Sequence, residues 1–185
     1  MSNAEQDLAY VQEVVKGAES APSGPRAIYI LWAVIYFTGF SLFDWNHRYA
    51  GIFWLIAGPI GGVVSFWLGS RSALRAGVAS RRMAKRHMLH WIGTGAAIFM
   101  ALPLLWLGVL SSTALIKVIL LIMALGMFTA GIYLVRPYLW VGLALAACYL
   151  AVMTLSALPW MVVGALSGGA MLLAAFLDER SSDQP

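Results

Sequence analysis

GSRSALRAGVASRRMAKRHMLH, residues 69–90, is the stretch that decides the fold, because it is strongly basic and lies between long apolar segments. It contains no Asp or Glu, and it holds half of the chain's twelve Lys and Arg residues: Arg71, Arg75, Arg81, Arg82, Lys85 and Arg86. In membrane proteins such segments stay on the cytoplasmic side. We therefore expect residues 70–87 to form a basic cytoplasmic loop that orients the segments around it. Beyond this topological role, the loop is suited to anionic lipid headgroups or to an acidic partner.

The composition is that of a membrane protein. Of the 185 residues, 61% are hydrophobic and 11% are charged, and the mean hydropathy is +0.81. A soluble chain of this length would have too few polar residues to cover its core. No Asp or Glu occurs between Trp45 and Leu177, so we interpret the net charge of +4 as a sign of membrane topology. We expect no binding to nucleic acid.

Six apolar segments follow residues 1–26, and each is long enough to cross a bilayer. At 1.5 Å per residue the shortest is about 26 Å long, against a hydrocarbon core of about 30 Å. The segments are continuously apolar rather than alternating, which excludes the strands of a membrane barrel. We predict an all-α, polytopic bundle over residues 27–177, with spans at 27–43, 49–69, 88–110, 113–135, 138–158 and 159–177 and a tail at 178–185.

An even number of spans places both termini on the cytoplasmic side, together with the basic loop. The cytoplasmic side then carries Lys16, Arg26, the six loop residues, Arg136 and Arg180, whereas the other side carries Arg48 and Lys117. Five or seven spans would destroy this bias. We expect a multi-pass protein of a bacterial cytoplasmic (inner) membrane. Because the last connections are short, we also expect the third to sixth spans to form a tight bundle.

The even-numbered spans share a weak pattern, in which a small residue follows a glycine by four positions. The pairs are Gly58 and Gly62, Gly126 and Ala130, and Gly164 and Gly168. Small residues let membrane helices approach closely, so we predict helix packing at these positions, within one copy or between copies. The pattern suggests three in-out-in hairpins, and chance is the alternative. We expect leucine at Gly62 or Gly168 to destabilise the protein more than leucine at Gly142.

Residues 1–26 contain a short amphipathic helix and a linker. Ser2 and Glu5 have the spacing of a capping box, which predicts the helix start. Three residues at helical spacing form its apolar face: Leu8, Val11 and Val15. The opposite face is acidic and suits an anionic leaflet poorly. We therefore expect the helix to dock on protein, either on this chain's basic loop or on a partner. A loosely ordered arm is the alternative.

Few ionisable residues lie within or beside the apolar segments. Asp44 ends the first segment and Lys117 lies about one turn into the fourth, so a pair is conceivable, although we favour separate placement at the interface. We interpret residues 44–49, DWNHRY, as a solvated turn, with a small binding loop as the alternative. His87 and His90 share one helix face, but His47 is expected on the other side, so we predict no metal or haem site.

The sequence therefore indicates little chemistry. An intramembrane serine protease would need a base beside Ser167, and no histidine is expected at that depth. We expect no catalytic site, cofactor or metal. The first hypothesis is an accessory or regulatory membrane protein that binds a protein partner, or a second copy, through the N-terminal helix and the basic loop. The alternative is a small channel or carrier for a neutral or hydrophobic solute, lined by backbone and by hydroxyl groups: Ser65, Thr94, Thr129, Ser156 and Ser167.

Overall fold

The computed structural model describes Gln6, Tyr10 and residues 25–75, 81–155 and 159–182, with the backbone alone for Arg75, Arg81, Arg82 and residues 178–182. The face formed by Leu8, Val11 and Val15 lies outside the described residues. Over the described ranges the fold is all-α, as predicted. Its helices are α1 (Arg26–Trp45), α2 (His47–Arg75), α3 (Arg81–Ala101), α4 (Pro103–Trp106), α5 (Ser112–Tyr133), α6 (Pro137–Thr154) and α7 (Trp160–Ser182).

Six stretches of these helices are long and apolar enough to cross a membrane, and this number agrees with the sequence prediction. They run over Arg26–Trp45, His47–Leu74, Met83–Trp106, Ser112–Tyr133, Pro137–Thr154 and Trp160–Leu177. The ends where α2 stops and α3 starts are called the basic end here, and the other end of the bundle is called the opposite end.

Helices occupy most of the segment that the sequence suggested as a basic loop. α2 continues to Arg75 and α3 begins at Arg81, while residues 76–80 lie outside the described part. The physical reason is that Arg, Lys, Ala, Leu and Met are strong helix formers, so each helix continues beyond its apolar stretch. The loop boundaries at residues 70 and 87 are therefore corrected. Arg71, Lys85 and Arg86 are exposed on helix ends.

The polar turn expected at residues 44–49 is a single extended residue. Asp44 and Trp45 complete α1, Asn46 follows, and α2 begins at His47. The Asn46 Oδ1 atom accepts the backbone N–H groups of Arg48 at 2.9 Å and of Tyr49 at 3.2 Å, so it caps α2. The segment is a tight helix–helix corner rather than an open loop.

The third apolar segment is interrupted near its end. α3 stops at Ala101, and Pro103, which has no backbone N–H, starts the four-residue α4. Gly108 then adopts φ of 70°, and the N–H groups of Val109 and Leu110 both return to the carbonyl of Leu104. This left-handed residue reverses the chain before Ser111 caps α5 by accepting the N–H of Ala114 at 3.2 Å.

The order of the helices around the bundle is α2, α1, α7, α6, α5 and α3. The most extensive contacts join α1 to α7 and α5 to α6, whereas α2 and α3 touch each other little. In α1, α5, α6 and α7, between 33% and 50% of the apolar stretch is buried, against 6% in α2 and in the α3 stretch. The expectation of a tight bundle of the third to sixth spans was therefore wrong. The first span replaces the third, because α1 fits closely against α7.

Glycines mark the closest helix contacts. A Cβ atom at Gly164 would lie 2.8 Å from the carbonyl oxygen of Phe37, and one at Gly168 would lie 2.9 Å from that of Ala33. Between α5 and α6, Gly131 and Gly142 lie directly against the backbone of the facing helix. Such close backbone approach lets many atoms of the two helices make van der Waals contact, which stabilises both pairs.

The glycines of α2 behave differently. A Cβ atom at Gly58 or Gly62 would meet no atom within 4 Å. In the single chain the expected penalty for leucine at Gly62 is therefore wrong, and Gly142, which had served as the tolerant reference, is crowded instead. The reason is that spacing along one helix does not reveal which face a second helix covers.

Aromatic rings fill the core toward the opposite end. The rings of Tyr36 and Phe40 on α1 lie 6.0 Å and 5.2 Å from that of Trp54 on α2, and Phe40 stacks on Trp160 of α7 at 6.2 Å. Trp54 fits over Gly39, where a Cβ atom would be 2.5 Å from the indole. This cluster holds α2 on the bundle, and the bond from Trp32 Nε1 to Ser65 Oγ, 2.9 Å long, adds to it.

Candidate functional site

The most connected polar group at the basic end is the imidazole of His90 on α3. Its Nε2 atom lies 3.0 Å from the carbonyl oxygen of Gly126 on α5. A carbonyl can only accept, so Nε2 carries the proton and Nδ1 is left to accept the hydroxyl of Tyr133. The ring therefore bridges α3 to two turns of α5.

Close packing surrounds this bridge. The Thr94 hydroxyl donates to the carbonyl oxygen of His90 at 3.0 Å. The methyl carbon of Thr94 lies 2.8 Å from the position that a Cβ atom of Gly126 would take. Ala130, four residues after Gly126, is fully buried. Gly126 and Ala130 thus lie on the inward face of α5, and Gly126 receives α3 there.

A row of rings continues from His90 across the basic end. The Trp91 ring lies 4.8 Å from that of His90 and 5.7 Å from that of Tyr138 on α6. Tyr138 in turn lies 5.5 Å from Tyr29 on α1. The row connects the weakly packed α3 to two helices of the well-packed group.

The cations at the basic end spread over several helices. The Arg71 guanidinium lies 4.5 Å from the centre of the Trp67 ring on its own helix, and that of Arg26 lies 4.7 Å from the centre of the Phe176 ring on α7. Arg71, Lys85 and Arg86 are exposed. The side chains of Arg75, Arg81 and Arg82 lie outside the described part. The described cations form a solvent-facing basic surface rather than a closed pocket.

At the opposite end the Asp44 carboxylate of α1 binds the start of α7. It accepts the backbone N–H of Trp160 at 2.8 Å and that of Met161 at 2.7 Å. Two otherwise unsatisfied N–H groups of α7 are thereby paired. Sequence reasoning missed this role. The available signal was that α7 follows Pro159 without an adjacent Ser, Thr, Asp or Asn cap, so an acceptor from another segment was needed.

Lys117 lies on α5, in a cleft that faces α6 at the opposite end. The cleft has a volume of about 380 Å³, and its lining includes Ser111, Thr113, Tyr149 and Met153. Asp44 is the only acidic residue described at this end, and its two oxygens accept the N–H groups of α7. The separate placement favoured from the sequence agrees with this arrangement.

The hydroxyl groups considered as a pore lining do not converge among the described residues. The Ser65 hydroxyl accepts a hydrogen bond from the indole N–H of Trp32, and the Thr94 hydroxyl donates to the backbone carbonyl of His90. The Thr129 hydroxyl donates to the backbone carbonyl of Leu125 at 2.8 Å. Ser167 is fully buried and donates to the carbonyl of Val163 at 2.7 Å. Ser156 lies outside the described residues.

The described part of the chain contains no group of three His, Cys, Asp or Glu side chains that could hold a metal ion. His47 packs on the Phe43 ring at 5.8 Å at the opposite end, away from His90. Cys148 is buried in α6 as a free thiol. The polar arrangement that stands out is therefore a set of helix-to-helix contacts and one cationic cleft.

No protein-family model matches the chain, and no curated protein or solved structure is similar enough to it to count as a match.

Proposed function

We propose that this protein is a non-catalytic integral membrane protein and an accessory or regulatory subunit of another membrane protein. It crosses the cytoplasmic membrane six times, with the basic end and both termini in the cytoplasm. Six helices of sufficient length support this placement, as does their apolar exposed surface. Val63, Phe66 and Met100, for example, are 70%, 59% and 78% exposed. In water such a surface would cause aggregation, whereas in a bilayer it contacts acyl chains.

The observation that carries the partner proposal is the uncovered small-residue face of α2. Gly51, Gly58 and Gly62 follow each other at intervals of seven and four residues, which places them on one side of the helix. A Cβ atom at any of the three would meet nothing within 4 Å. By contrast, Gly164 and Gly168 on α7, with the same spacing of four, receive the backbone of α1. The α2 face therefore has the form of a helix-binding surface whose partner helix comes from another chain.

Two sequence features would add to this interface. The N-terminal helix predicted from the sequence would present Leu8, Val11 and Val15, and the basic end has exposed Arg71, Lys85 and Arg86. Both are placed on the cytoplasmic side, so a partner that packs on α2 within the membrane is within their reach. The basic segment is also suited to anionic lipid headgroups of that leaflet.

The non-catalytic part of the proposal is supported by the use of the polar groups. His90 is bonded at both ring nitrogens, and Ser167 has its hydroxyl on a backbone carbonyl. A histidine held in this way cannot reach a substrate without first leaving α5. No described feature favours the channel over the subunit, because fully buried side chains of Tyr36, Leu120, Leu145 and Met171 fill the bundle interior.

The test compares two leucine variants that the single chain should tolerate equally. Gly58→Leu/Gly62→Leu alters the α2 face, and the matched control Gly93→Leu alters α3 at a site that also has nothing within 4 Å. Cross-linking in native membranes followed by quantitative mass spectrometry should show one protein, or the chain itself, joined to wild type and to the control. We expect the amount of this cross-linked partner to fall about tenfold or more in the α2 variant, which is equivalent to about 1.4 kcal/mol of binding free energy.

A second experiment separates the subunit from the channel. Deletion of residues 1–20 should weaken the same cross-link, and the pure protein in liposomes should give no flux of small neutral solutes. If both leucine variants cross-link the partner equally, the proposal that α2 forms the interface is contradicted. Solute flux from the pure protein, unchanged by the deletion, would contradict the subunit proposal.

A further inference from the structure

The cleft between α5 and α6 contains one cation, Lys117, near the end of α5. Lys117 lies five residues after the start of α5, about 7.5 Å along the helix. That distance places its ammonium group near the boundary between acyl chains and headgroups. At that boundary the ammonium group can reach the oxygen atoms of a lipid headgroup, and an anion there is its natural partner.

The chain itself supplies no such partner among the described residues of this end. No Asp or Glu occurs between Trp45 and Leu177, and both carboxylate oxygens of Asp44 accept N–H groups of α7. The counter-ion of Lys117 therefore comes from outside the described chain.

The other walls of the cleft indicate the kind of anion. Its lining includes three residues with hydroxyl groups, Ser111, Thr113 and Tyr149, and a hydroxyl group can donate hydrogen bonds to oxygen atoms. Ser111 already caps α5 by accepting the N–H of Ala114, so the helix start is satisfied and is not itself the binding group. Val118 and Met153 form an apolar wall. A cation and hydroxyl donors beside an apolar wall suit an amphiphilic anion with several oxygen atoms.

We propose that this cleft binds the phosphate of one anionic phospholipid from the leaflet opposite to the basic end. Lys117 is the counter-ion, the three hydroxyl groups are donors, and an acyl chain lies along Val118 and Met153. The site rests on the membrane placement proposed above but not on the partner, because α2 packs on α1 and lies away from the α5–α6 cleft.

The experiment uses the full chain in phosphatidylcholine vesicles that contain a small fraction of photoactivatable phosphatidylglycerol, with a diazirine in its acyl chain. After irradiation, labelled positions are mapped by peptide mass spectrometry. We expect label at or next to Val118 and Met153. A phosphatidylcholine probe with the same diazirine should label these positions at least about fivefold less, because its choline group competes with Lys117 for the phosphate.

Variants test the cation directly. Lys117→Gln should lower the phosphatidylglycerol label in the cleft about fivefold, which corresponds to the roughly 1 kcal/mol that one basic residue contributes beside an anionic surface. Lys117→Arg should retain the label. Arg48→Gln, an exposed cation at the same end, is the matched control and should have no effect. Label near the basic segment should stay constant in all variants and serves as the internal reference.

Three outcomes would overturn the proposal. Equal labelling by the two probes would show that the cleft holds ordinary annular lipid. Unchanged labelling of the Lys117→Gln variant would show that Lys117 does not bind the phosphate. If that variant does not fold, the comparison of the two probes on the wild type still tests the site. Displacement of the probe by excess soluble glycerol 3-phosphate would identify a free anion as the ligand. A failure of this site leaves the α2 interface intact, since the leucine variants test that interface separately.

Discussion

Asp44 and Trp160 join the first long helix to the last: the carboxylate at the end of α1 accepts the backbone N–H of Trp160 at 2.8 Å, across 116 residues of chain. The second carboxylate oxygen of Asp44 accepts the backbone N–H of Met161. Neither N–H has an acceptor within α7. Asp44 and Met161 are exposed at this end of the bundle, and the negative charge of Asp44 also suits the positive end of the helix dipole. One side chain therefore both starts α7 and holds it beside α1.

Removal of this cap should destabilise the bundle. We expect Asp44→Ala to lower the free energy of unfolding by about 1 to 3 kcal/mol, because two N–H groups lose their acceptor. Asp44→Asn keeps one side-chain oxygen and should lose roughly half as much. Unfolding by SDS in mixed micelles, followed by tryptophan fluorescence, gives the values. Arg48→Ala, four residues away and exposed, is the control, and an equal effect of both alanine variants would contradict the capping role.

The stability loss caused by a glycine substitution should depend on whether the glycine faces the backbone of another helix. Alanine at Gly142 would place a methyl group against the backbone of Phe128, which cannot move aside without separating α5 from α6. We expect a loss of about 1 to 3 kcal/mol there and a similar loss at Gly164, which faces the carbonyl of Phe37. Gly169→Ala has nothing within 4 Å and should be neutral or slightly stabilising. The same unfolding assay measures all three, and a tolerant Gly142 would count against the α5–α6 contact.

The bridge from α3 to α5 should be measurable as a coupling energy. His90→Ala removes both bonds of the imidazole, and Tyr133→Phe removes one of them. In a double-mutant cycle we expect a coupling of about 1 kcal/mol, since only the wild type has both partners. A cycle of His87→Ala with Tyr133→Phe should be additive, because the hydroxyl of Tyr133 bonds to His90 and not to His87. Additivity in the first cycle as well would show that the contact is not energetically relevant.

The membrane orientation gives a fourth prediction. A reporter enzyme that is active only in the periplasm should be inactive when fused after Pro185 and active when fused after Leu110, because six crossings return the chain to the cytoplasm. Activities of the two fusions, normalised to expression, provide the measurement. An active fusion at the C-terminus would require either an odd number of crossings or the inverted orientation, and both would contradict the proposed topology.

Individual residues show how far sequence reasoning extends. The six long apolar helices were predicted with their approximate ends, because continuous hydropathy over about 20 residues is a direct consequence of bilayer thickness. The positions of Asp44 and Lys117 at one end followed from the same count. The bond partner of Asp44 did not, since it lies on a helix more than a hundred residues away. Likewise His90 and Tyr133 had no pattern in common, because each belongs to a different apolar segment.

The glycines show the same division. A spacing of four residues indicates that one face of a helix is smooth, and it does so equally for Gly58 with Gly62 and for Gly164 with Gly168. Only the structure distinguishes the pair that receives α1 from the pair that is open, and only the structure shows that Gly131 and Gly142 lie directly against a facing backbone.

The sequence by itself determined the class of the protein, the number of its long helices and the end at which its positive charge collects, since these depend on segment length and composition alone. The tertiary structure decided which helices are neighbours, which face of α2 stays uncovered and where Lys117 finds its cleft. The physical reason is that helices destined for lipid are apolar on every side. Their inward faces are therefore selected by the fit of side chains and backbones, and not by a difference in polarity that periodicity could reveal.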